Sequence, residues 1–263
     1  MESETLAGRV AVVTGGSNGI GRATAILLAQ NAAKVVVADY NPLAENSQRF
    51  ADHGIEQRQC DVRSINELEQ LIDGVANEYG RLDILVNNAG IGMVKQVDGV
   101  DEADWDNCIG TNLKAAFFGS KFAIRHMIAN GGGAIVNTAS NAGLLPRAHD
   151  PVYSISKQAL IGMTKSLALC HSKDRIRVNA VCPGPVCDTG MMNADLEKAD
   201  DSDAAIQQMI SASPLARAWN RMISPEEVAD AIFYLVSDSA AMVSGTAIAI
   251  DGGKSLGVPP KSN

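Results

Sequence analysis

The sequence lacks the paired spacings that disulfide frameworks and metal sites need. Its five cysteines include no CxxC pair, and its four histidines form no HxxxH or HxH pair. Small disulfide-stapled domains and zinc ribbons both depend on closer, paired spacing. We therefore expect reduced thiols in a reducing, cytoplasmic compartment, and we expect no metal site.

Long apolar runs and an excess of basic residues are also missing. The longest apolar stretches, such as Ala231 to Val236, fall far short of the roughly 18 residues that a membrane span needs. The first residues, MESETLAGR, carry acids where a signal peptide would be basic, so we expect no secretion signal. Acidic residues outnumber basic ones by 30 to 22, and the formal net charge of −8 repels phosphate backbones and anionic lipid. We expect no nucleic acid and no membrane among the partners.

What the chain does contain is an ordinary globular composition arranged in a regular alternation. Its 263 residues are 46% hydrophobic and 20% charged, which excludes a disordered or fibrous chain and suffices for a sizeable core. Short β-branched runs alternate with longer helical patterns, as in βαβ units. The sequence predicts an α/β fold, with residues 1–263 forming a single domain around one doubly wound parallel sheet of about seven strands.

The alternation gives approximate positions for each element. The predicted strands are Arg9 to Thr14, Lys34 to Asp39, Ile55 to Cys60, Leu82 to Val86, Ala134 to Thr138, Arg177 to Val181 and Thr246 to Ile250. The predicted helices are Ile20 to Asn31, 64–79, 103–129, 152–171 and 226–237. Residues 187–213 are polar and interrupt the pattern, either as a solvated loop with a short helix or as a lid over a site at the strand ends. Met191 and Met192 favour the lid.

The first strand runs into a glycine-rich turn that opens the next helix. The turn reads TGGSNGIG over Thr14 to Gly21, with glycines at 15, 19 and 21. Such glycines let the backbone turn tightly and approach a pyrophosphate, which then sits on the helix N-terminus. Glycine turns also serve as plain connectors, but a place between strand and helix favours a dinucleotide site in a Rossmann-type sheet.

Asp39 closes the second predicted strand and bears on the choice of dinucleotide. A carboxylate at this position can accept hydrogen bonds from the adenosine ribose hydroxyls and would repel a 2′-phosphate. Tyr40 and Asn41 follow it, with no Arg or Lys beside them to neutralise that phosphate. Asp39 alone could be a strand-end turn residue, but together with the glycine turn it predicts NAD as the cofactor.

With these motifs the chain resembles the short-chain dehydrogenase/reductase family from about Leu6 to Gly253. The matching segments are the glycine turn, the pair Asp61 and Val62, NNAG at Asn87 to Gly90, TNL around Asn112, YSISK at Tyr153 to Lys157, NAVCPG at Asn179 to Gly184 and DGG at Asp251 to Gly253. Ser140 precedes Tyr153 at the spacing that the family shows. The resemblance implies that Asn112, Ser140, Tyr153 and Lys157 are catalytic.

The same resemblance, joined to the glycine turn and Asp39, gives a set of cofactor contacts. These are Gly15, Ser17, Asn18, Gly19, Ile20, Gly21, Asp39, Tyr40, Asp61, Val62, Asn88, Ala89, Gly90, Tyr153, Lys157, Pro183, Gly184, Val186 and Thr189. One segment departs from the family pattern PGxVxT, because PGPVCDT (Pro183 to Thr189) carries an extra residue. Two alternatives stay open: Thr189 is displaced from the nicotinamide, or Asp188 takes its place.

The chemistry of the catalytic set follows from elementary considerations. Tyr153 and Lys157 lie four residues apart on a predicted helix, so both point to one face. A phenol with a reference pKa of about 10 is a poor base at neutral pH, but a nearby ammonium lowers that pKa. Tyr153 can then take a proton from an alcohol as hydride leaves its carbon. We expect Ser140 to hold the substrate oxygen, Lys157 the nicotinamide ribose, and Asn112 a water that links Lys157 to solvent.

The predicted function is an NAD-dependent oxidoreductase that moves a hydride between a secondary alcohol, or its ketone, and the nicotinamide. One alternative is a 3-oxoacyl-[carrier-protein] reductase, against which Asp39 argues because that activity usually uses NADPH. Another is a catalytically silent dinucleotide-sensing regulator, against which the intact catalytic set argues. Each of the four residues alone could have an ordinary structural role, on a solvated helix surface, as a helix cap or in a turn. Their occurrence together, in this order and behind a glycine turn, is not explained by such roles.

Two expectations concern what the protein binds and how it assembles. The expected contacts with the small-molecule substrate are Ser140, Tyr153, Asn141, His149 and Met191. The helices at 103–129 and 152–171 carry apolar residues on more than one face, which calls for a second surface to bury them. Relatives pair these helices in a closed assembly, so we expect a homotetramer.

Overall fold

A parallel sheet forms the centre of the computed structural model, which describes residues 6–42, 46–145 and 147–257, without the side chain of Ser47. Its strands are β1 (Val10–Thr14), β2 (Lys34–Asp39), β3 (Glu56–Gln59), β4 (Ile84–Asn87), β5 (Gly133–Thr138), β6 (Ile176–Pro183) and β7 (Ala247–Ile250). Their order is β3-β2-β1-β4-β5-β6-β7, with every neighbouring pair parallel. The predicted doubly wound, Rossmann-type sheet is confirmed.

Helices cover both faces of this sheet. They are α1 (Gly19–Gln30), α2 (Ser47–Asp52), α3 (Ile65–Tyr79), α4 (Glu102–Ile109), α5 (Ala115–Ala129), α6 (Pro151–His171), α7 (Gly190–Leu196), α8 (Ser202–Ser211), α9 (Pro214–Trp219) and α10 (Pro225–Val236). Among the described residues, no helix has both the length and the apolarity to cross a membrane.

The two faces of the sheet bury separate apolar clusters. Val12 of β1 packs in the cluster with Leu68 of α3 and Phe122 of α5. Val13, the next residue along β1, packs in the opposite cluster with Leu28 of α1 and Ile232 of α10. Because both faces are covered, the inner strands are continuous apolar runs rather than alternating ones.

The structure differs from the sequence expectation in two segments. The helix expected over 103–129 is interrupted by a π-helical turn at Gly110–Lys114, which separates α4 from α5. Residues 187–213 contain two helices rather than one short one. Thr189 caps α7 by accepting the backbone N–H of Met192, and Asp201 caps α8 by accepting that of Ala204. Such side-chain caps are the local reason that both helices begin where they do.

The order of strands places the site. The strand order runs outward in opposite directions from β1 and β4, so these two neighbours mark the point where the order switches. Ligands of open α/β sheets bind in the crevice at the carboxyl ends of the strands beside this point. The segments that follow β1, β4, β5 and β6 begin with Gly15, Asn88, Ala139 and Gly184. Four stretches that are distant in sequence therefore meet at one edge.

Candidate active site

A cavity of about 1000 Å³ lies at the carboxyl edge of the sheet. The predicted site residues that line it are Gly15, Asn18, Ile20, Asp39, Tyr40, Asp61, Val62, Asn88, Ala89, Gly90, Ser140, His149, Tyr153, Lys157, Pro183, Gly184, Val186, Thr189 and Met191. Five others lie behind the wall rather than on it: Ser17, Gly19, Gly21, Asn112 and Asn141. The structure thus brings most of the predicted site together around one space.

The glycine turn requires glycine at positions 15 and 21 because a side chain at either would not fit. Gly15 has a φ of +63°, and a Cβ there would lie 2.7 Å from Ala89 Cα. A Cβ on Gly21 would lie only 2.2 Å from the carbonyl oxygen of Gly15. The amide of Asn88 donates to the carbonyl oxygens of Thr14 (3.1 Å) and Gly15 (2.8 Å). The segment after β4 therefore braces the turn after β1.

The same turn presents groups suited to an anion. Asn18 precedes α1 without making a side-chain cap, and the first turn of α1 carries no acid. Among the described residues, the Ser17 hydroxyl is buried without a hydrogen-bond partner. Backbone N–H groups at a helix N-terminus favour negative charge. These features fit the pyrophosphate of a dinucleotide.

Asp39 stands at the wall of the cavity, at the end of β2. Its two carboxylate oxygens accept the backbone N–H of Ser17 (3.1 Å) and of Asn41 (3.2 Å). A carboxylate offers about four acceptor positions, so lone pairs remain for ribose hydroxyls. The position and the spare acceptors agree with the role that the sequence predicts.

Arg63 is a cation in this region that reasoning along the sequence missed. Its guanidinium carbon lies 5.5 Å from the centre of the Tyr40 ring, although Tyr40 has no basic neighbour in sequence. Arg63 pairs with Asp61 at 2.8 Å, and this contact lowers the pKa of Asp61. The charge of Arg63 is therefore balanced by Asp61, and Arg63 does not neutralise the carboxylate of Asp39.

Tyr153 and Lys157 lie together on the buried face of α6, as predicted. The ammonium nitrogen of Lys157 is 5.7 Å from the centre of the Tyr153 ring and donates to the carbonyl oxygen of Thr138 at 2.9 Å. Ser140 follows β5, and its hydroxyl accepts the backbone N–H of Ala142 at 3.1 Å. The end of β5 and the buried face of α6 thus bring the three groups close together.

Burial changes the proton affinities of this pair. It raises the pKa of Tyr153, against the opposing effects of the Ser140 hydroxyl and the positive charge of Arg147. Burial also lowers the pKa of Lys157 from 10.5 to about 8. The expectation that Lys157 brings the phenol below its usual pKa is therefore wrong for the protein without ligands. Desolvation of the phenolate outweighs the nearby charges.

Asn112 lies on the π-helical turn and clamps the backbone of Ile91. Its amide oxygen accepts the N–H of Ile91 (2.8 Å), while its amide nitrogen donates to the carbonyl oxygen of Ile91 (3.0 Å). A Cβ on Gly90 would lie 3.2 Å from the Asn112 oxygen and 3.4 Å from the Lys157 ammonium. A glycine at 90 therefore makes room for both groups. π turns of this kind are frequent at functional sites.

The extra residue of the PGPVCDT segment is accommodated at Asp188. Its φ of +52° is left-handed, a conformation that aspartate tolerates better than most residues. Thr189 consequently stays against the glycine turn, where a Cβ on Gly19 would meet its methyl group at 2.8 Å. Thr189 lines the cavity and Asp188 does not. Thr189 thus lies in the cavity wall beside the glycine turn, and its contact with the nicotinamide stays a prediction.

The loop between β5 and α6 contributes a second cation that was missed. Arg147 donates to Asp150 (2.9 Å) and to the amide oxygen of Asn141 (3.1 Å). Its guanidinium carbon lies 5.5 Å from the centre of the Tyr153 ring. Asn141, expected to touch substrate, is instead held behind the wall by Arg147. A lone arginine between Ser140 and Tyr153 in the sequence was the signal that could have indicated it.

The crowding around Gly21 gives a first test. We expect Gly21→Ala to weaken NAD binding about 10- to 100-fold, because the added methyl group forces the turn away from the carbonyl oxygen of Gly15. Gly162→Ala is the matched control, since a Cβ there meets no atom within 4 Å. Titration of each variant with NAD provides the measurement. Equal affinities for the two variants would contradict the assignment of this turn to the dinucleotide.

Comparisons with known proteins agree with this geometry. The family description "short chain dehydrogenase" matches residues 9–200. A cis-4-hydroxycyclohexanecarboxylate dehydrogenase from Sinomonas cyclohexanicum is 40% identical, over 95% of this chain and 98% of its own length. A 3-oxoacyl-[acyl-carrier-protein] reductase from Thermotoga maritima is 36% identical, over 94% and 98%.

A solved structure shows the same likeness in three dimensions. The ligand-free aldohexose dehydrogenase of Thermoplasma acidophilum superposes with a TM-score of 0.87 at 33% identity, covering 97% of each chain. Family match, relatives and fold all lead to one assignment. The chain belongs to the short-chain dehydrogenase/reductase family, whose members are oxidoreductases that use a nicotinamide cofactor on small-molecule substrates.

Proposed function

We propose that this protein is an NAD-dependent oxidoreductase that transfers a hydride between a secondary alcohol, or its ketone, and the nicotinamide. The observation that carries the proposal is the convergence of Ser140, Tyr153 and Lys157 on the cavity that also contains the glycine turn. Two relatives support the reaction class by their names, since one is a dehydrogenase of a hydroxy compound and the other a reductase of an oxo compound.

Each side chain has a distinct part in this reaction. The bound dinucleotide supplies the nicotinamide ring that exchanges hydride with the carbinol carbon. Ser140 hydrogen-bonds the substrate oxygen and holds it beside the phenol. Tyr153 accepts the alcohol proton during oxidation and returns it during ketone reduction. Lys157 holds the nicotinamide ribose and favours the phenolate, and Asn112 keeps Ile91 and the adjoining wall in place.

Burial sets the condition under which Tyr153 can act as a base. With its pKa raised, the phenol keeps its proton at neutral pH in the absence of ligands. Positive charge must therefore be gathered around it before it ionises. Lys157, Arg147 and the charge of an oxidised nicotinamide are the candidates, and all three favour the phenolate.

The preference for NAD follows from Asp39. Its carboxylate faces the cavity, and the nearby cation Arg63 is already paired with Asp61. A 2′-phosphate would meet an unopposed negative charge. The relative named as a 3-oxoacyl reductase keeps the alternative function in view, and a preference for NADP would favour it.

We expect the parent enzyme to use NAD with higher catalytic efficiency than NADP. Asp39→Ala should lower the ratio of catalytic efficiency with NAD to that with NADP by about 10- to 100-fold, because one charged hydrogen-bond partner of the ribose is lost. Asp52→Ala, at an exposed position on α2, is the control and should leave the ratio unchanged. Steady-state kinetics with both dinucleotides measure it. Equal or better efficiency of the parent enzyme with NADP would refute the cofactor assignment.

The role of Tyr153 has the most direct genetic test. Tyr153→Phe should reduce turnover by about 10²- to 10⁴-fold while NAD still binds, because only the acid/base hydroxyl is removed. Tyr234→Phe, on the exposed side of α10, should have no effect on either. Turnover across a panel of alcohols and ketones and NAD affinity by titration are measured on the same samples.

The outcomes of that experiment separate the alternatives. Substantial turnover by Tyr153→Phe would show that another group moves the proton. If the parent protein binds NAD but turns over no alcohol or ketone, the dinucleotide-sensing regulator becomes the better function.

We propose that the chain acts as one domain over residues 1–263, with 187–213 as a lid over its substrate. Helices α7 and α8 support this role because both contribute to the cavity wall. Met191 comes from α7, and Gln208 and Met209 come from α8. Helix α7 begins beside the glycine turn, where the N–H of Gly190 donates to the amide oxygen of Asn18 at 3.3 Å.

We also propose a homotetramer, in which exposed apolar residues of α5 and α6 are covered by other copies. Phe117 and Ile155 are each 44% exposed, and Leu169 is 82% exposed. Light scattering at micromolar concentration should give four times the mass of the chain. A mass equal to that of a single chain would contradict the proposal.

A further inference from the structure

Two cations in the wall of the cavity, Lys254 and Arg147, have no part so far in holding the substrate. Lys254 follows β7, is half-buried and lines the cavity. Among the described residues, its ammonium has no hydrogen-bond or ion-pair partner. Burial lowers the pKa of Lys254 and repulsion by Arg147 acts in the same direction, while attraction by Asp251 opposes both. A half-buried ammonium without a direct hydrogen-bond partner is unfavourable unless a ligand supplies an acceptor.

Arg147 lines the same cavity and is near enough to Lys254 to lower the pKa of Lys254 by charge repulsion. Its guanidinium donates to Asp150 and Asn141 and approaches the Ser140 hydroxyl at 3.5 Å. A guanidinium has five N–H donors in a rigid plane, so donors remain after these contacts. The contacts fix its plane beside the Tyr153 ring. The result is a preoriented donor group next to the position of the reacting oxygen.

The carboxylates in this region are already occupied. Asp150 is buried, pairs with Arg147 and also accepts the hydroxyl of Ser154 at 3.2 Å. Asp251 is buried and accepts the backbone N–H of Gly253 (2.9 Å) and Ser255 (2.8 Å). Neither carboxylate forms a direct ion pair with Lys254, although Asp251 attracts its ammonium.

The remaining charged groups of the wall leave this imbalance in place. Lys157 is itself a cation and donates to the carbonyl oxygen of Thr138. Asp195 and Lys198, at the end of the wall formed by the lid, carry opposite charges and balance each other. His149 also lines the cavity and brings no negative charge. Around this end of the cavity, three cations (Arg147, Lys157 and Lys254) therefore face two buried carboxylates (Asp150 and Asp251), which leaves an excess of one positive charge.

We propose that Lys254 and Arg147 form an anion subsite for the carboxylate of the substrate, so that the alcohol oxidised is a hydroxy acid. The inference rests on the proposed function and adds a substrate class to it. A carboxylate carries a single negative charge, which matches the excess of one positive charge, whereas a phosphate dianion would leave an excess of negative charge. Its two oxygens suit the planar donors of arginine, with the lysine as a second, point-like charge.

The geometry also limits the size of the hydroxy acid. In the proposed reaction the carbinol oxygen lies between Ser140 and Tyr153. The guanidinium of Arg147 lies 3.5 Å from the Ser140 hydroxyl and 5.5 Å from the centre of the Tyr153 ring. The carboxylate and the carbinol therefore belong to one small molecule, with only a few carbon atoms between them. A long acyl chain would place the charge beyond the reach of Arg147.

The test compares charged and neutral forms of the same alcohols. The panel consists of secondary hydroxy acids with a varied number of carbons between carbinol and carboxyl groups, each paired with its carboxamide. For the preferred spacing, we expect catalytic efficiency to be about 10- to 100-fold higher for the acid than for the amide. Lys254→Met should remove most of this preference by slowing the acid, with little change for the amide.

A matched variant and a binding measurement complete the design. Lys173→Met removes the same charge from an exposed position remote from the cavity and should keep the preference. Calorimetric titration of the NADH-loaded enzyme with each acid and each amide measures recognition without turnover. We expect the acids to bind more tightly to the parent enzyme, and we expect Lys254→Met to abolish the difference.

Three results would overturn the subsite. The first is equal catalytic efficiency and equal affinity for acids and amides. The second is an unchanged preference for the acid in Lys254→Met, and the third is an equal loss of catalytic efficiency for the acid and the amide in that variant. Efficient oxidation of the amides alongside the acids would leave the proposed function standing. Conversely, tighter binding of the acids without turnover of either form would support the subsite and contradict the dehydrogenase.

Discussion

The shared edge of the parallel sheet is the constraint on which the site depends. Because all strands run the same way, the segments that follow β1, β4, β5 and β6 come together at one side. Asn88 holds the glycine turn through the carbonyl oxygens of Thr14 and Gly15, and Lys157 reaches the carbonyl oxygen of Thr138. A helix or loop that moved would break these contacts between distant parts of the chain, so the site and the sheet are stabilised together.

Burial gives this edge its chemistry. A phenol and an ammonium would titrate at their ordinary pKa values in water, but here burial raises one and lowers the other. Both changes favour the uncharged forms of Tyr153 and Lys157. With a pKa of about 8, Lys157 still carries its charge at neutral pH, whereas Tyr153 keeps its proton until further positive charge arrives. Arg147 is part of that charge, which links the proposed carboxylate subsite to the proton transfer, since a carboxylate bound to Arg147 offsets its effect on the phenol.

The sequence predicted those features whose physical cause is local. A glycine turn after a strand, a carboxylate at the end of β2, and a tyrosine and lysine one helical turn apart are all readable in short segments. Arg63, Arg147 and Lys254 were missed because their significance depends on which distant groups they meet: Tyr40, Tyr153 and the cavity wall. The π-helical turn that holds Asn112 was missed because its residues suit an ordinary helix equally well. The net effect of burial on Tyr153 required the packed structure.

The central claim is that Tyr153 is a buried phenol that ionises only when positive charge is added beside it. Its ionisation can be followed as the ultraviolet difference between the parent protein and Tyr153→Phe during a pH titration, free and saturated with NAD or NADH. The account predicts that the phenolate of Tyr153 appears at lower pH with NAD than in the free enzyme, and that NADH, with its neutral nicotinamide, has a smaller effect. An ionisation of Tyr153 at the same pH in all three states would contradict it.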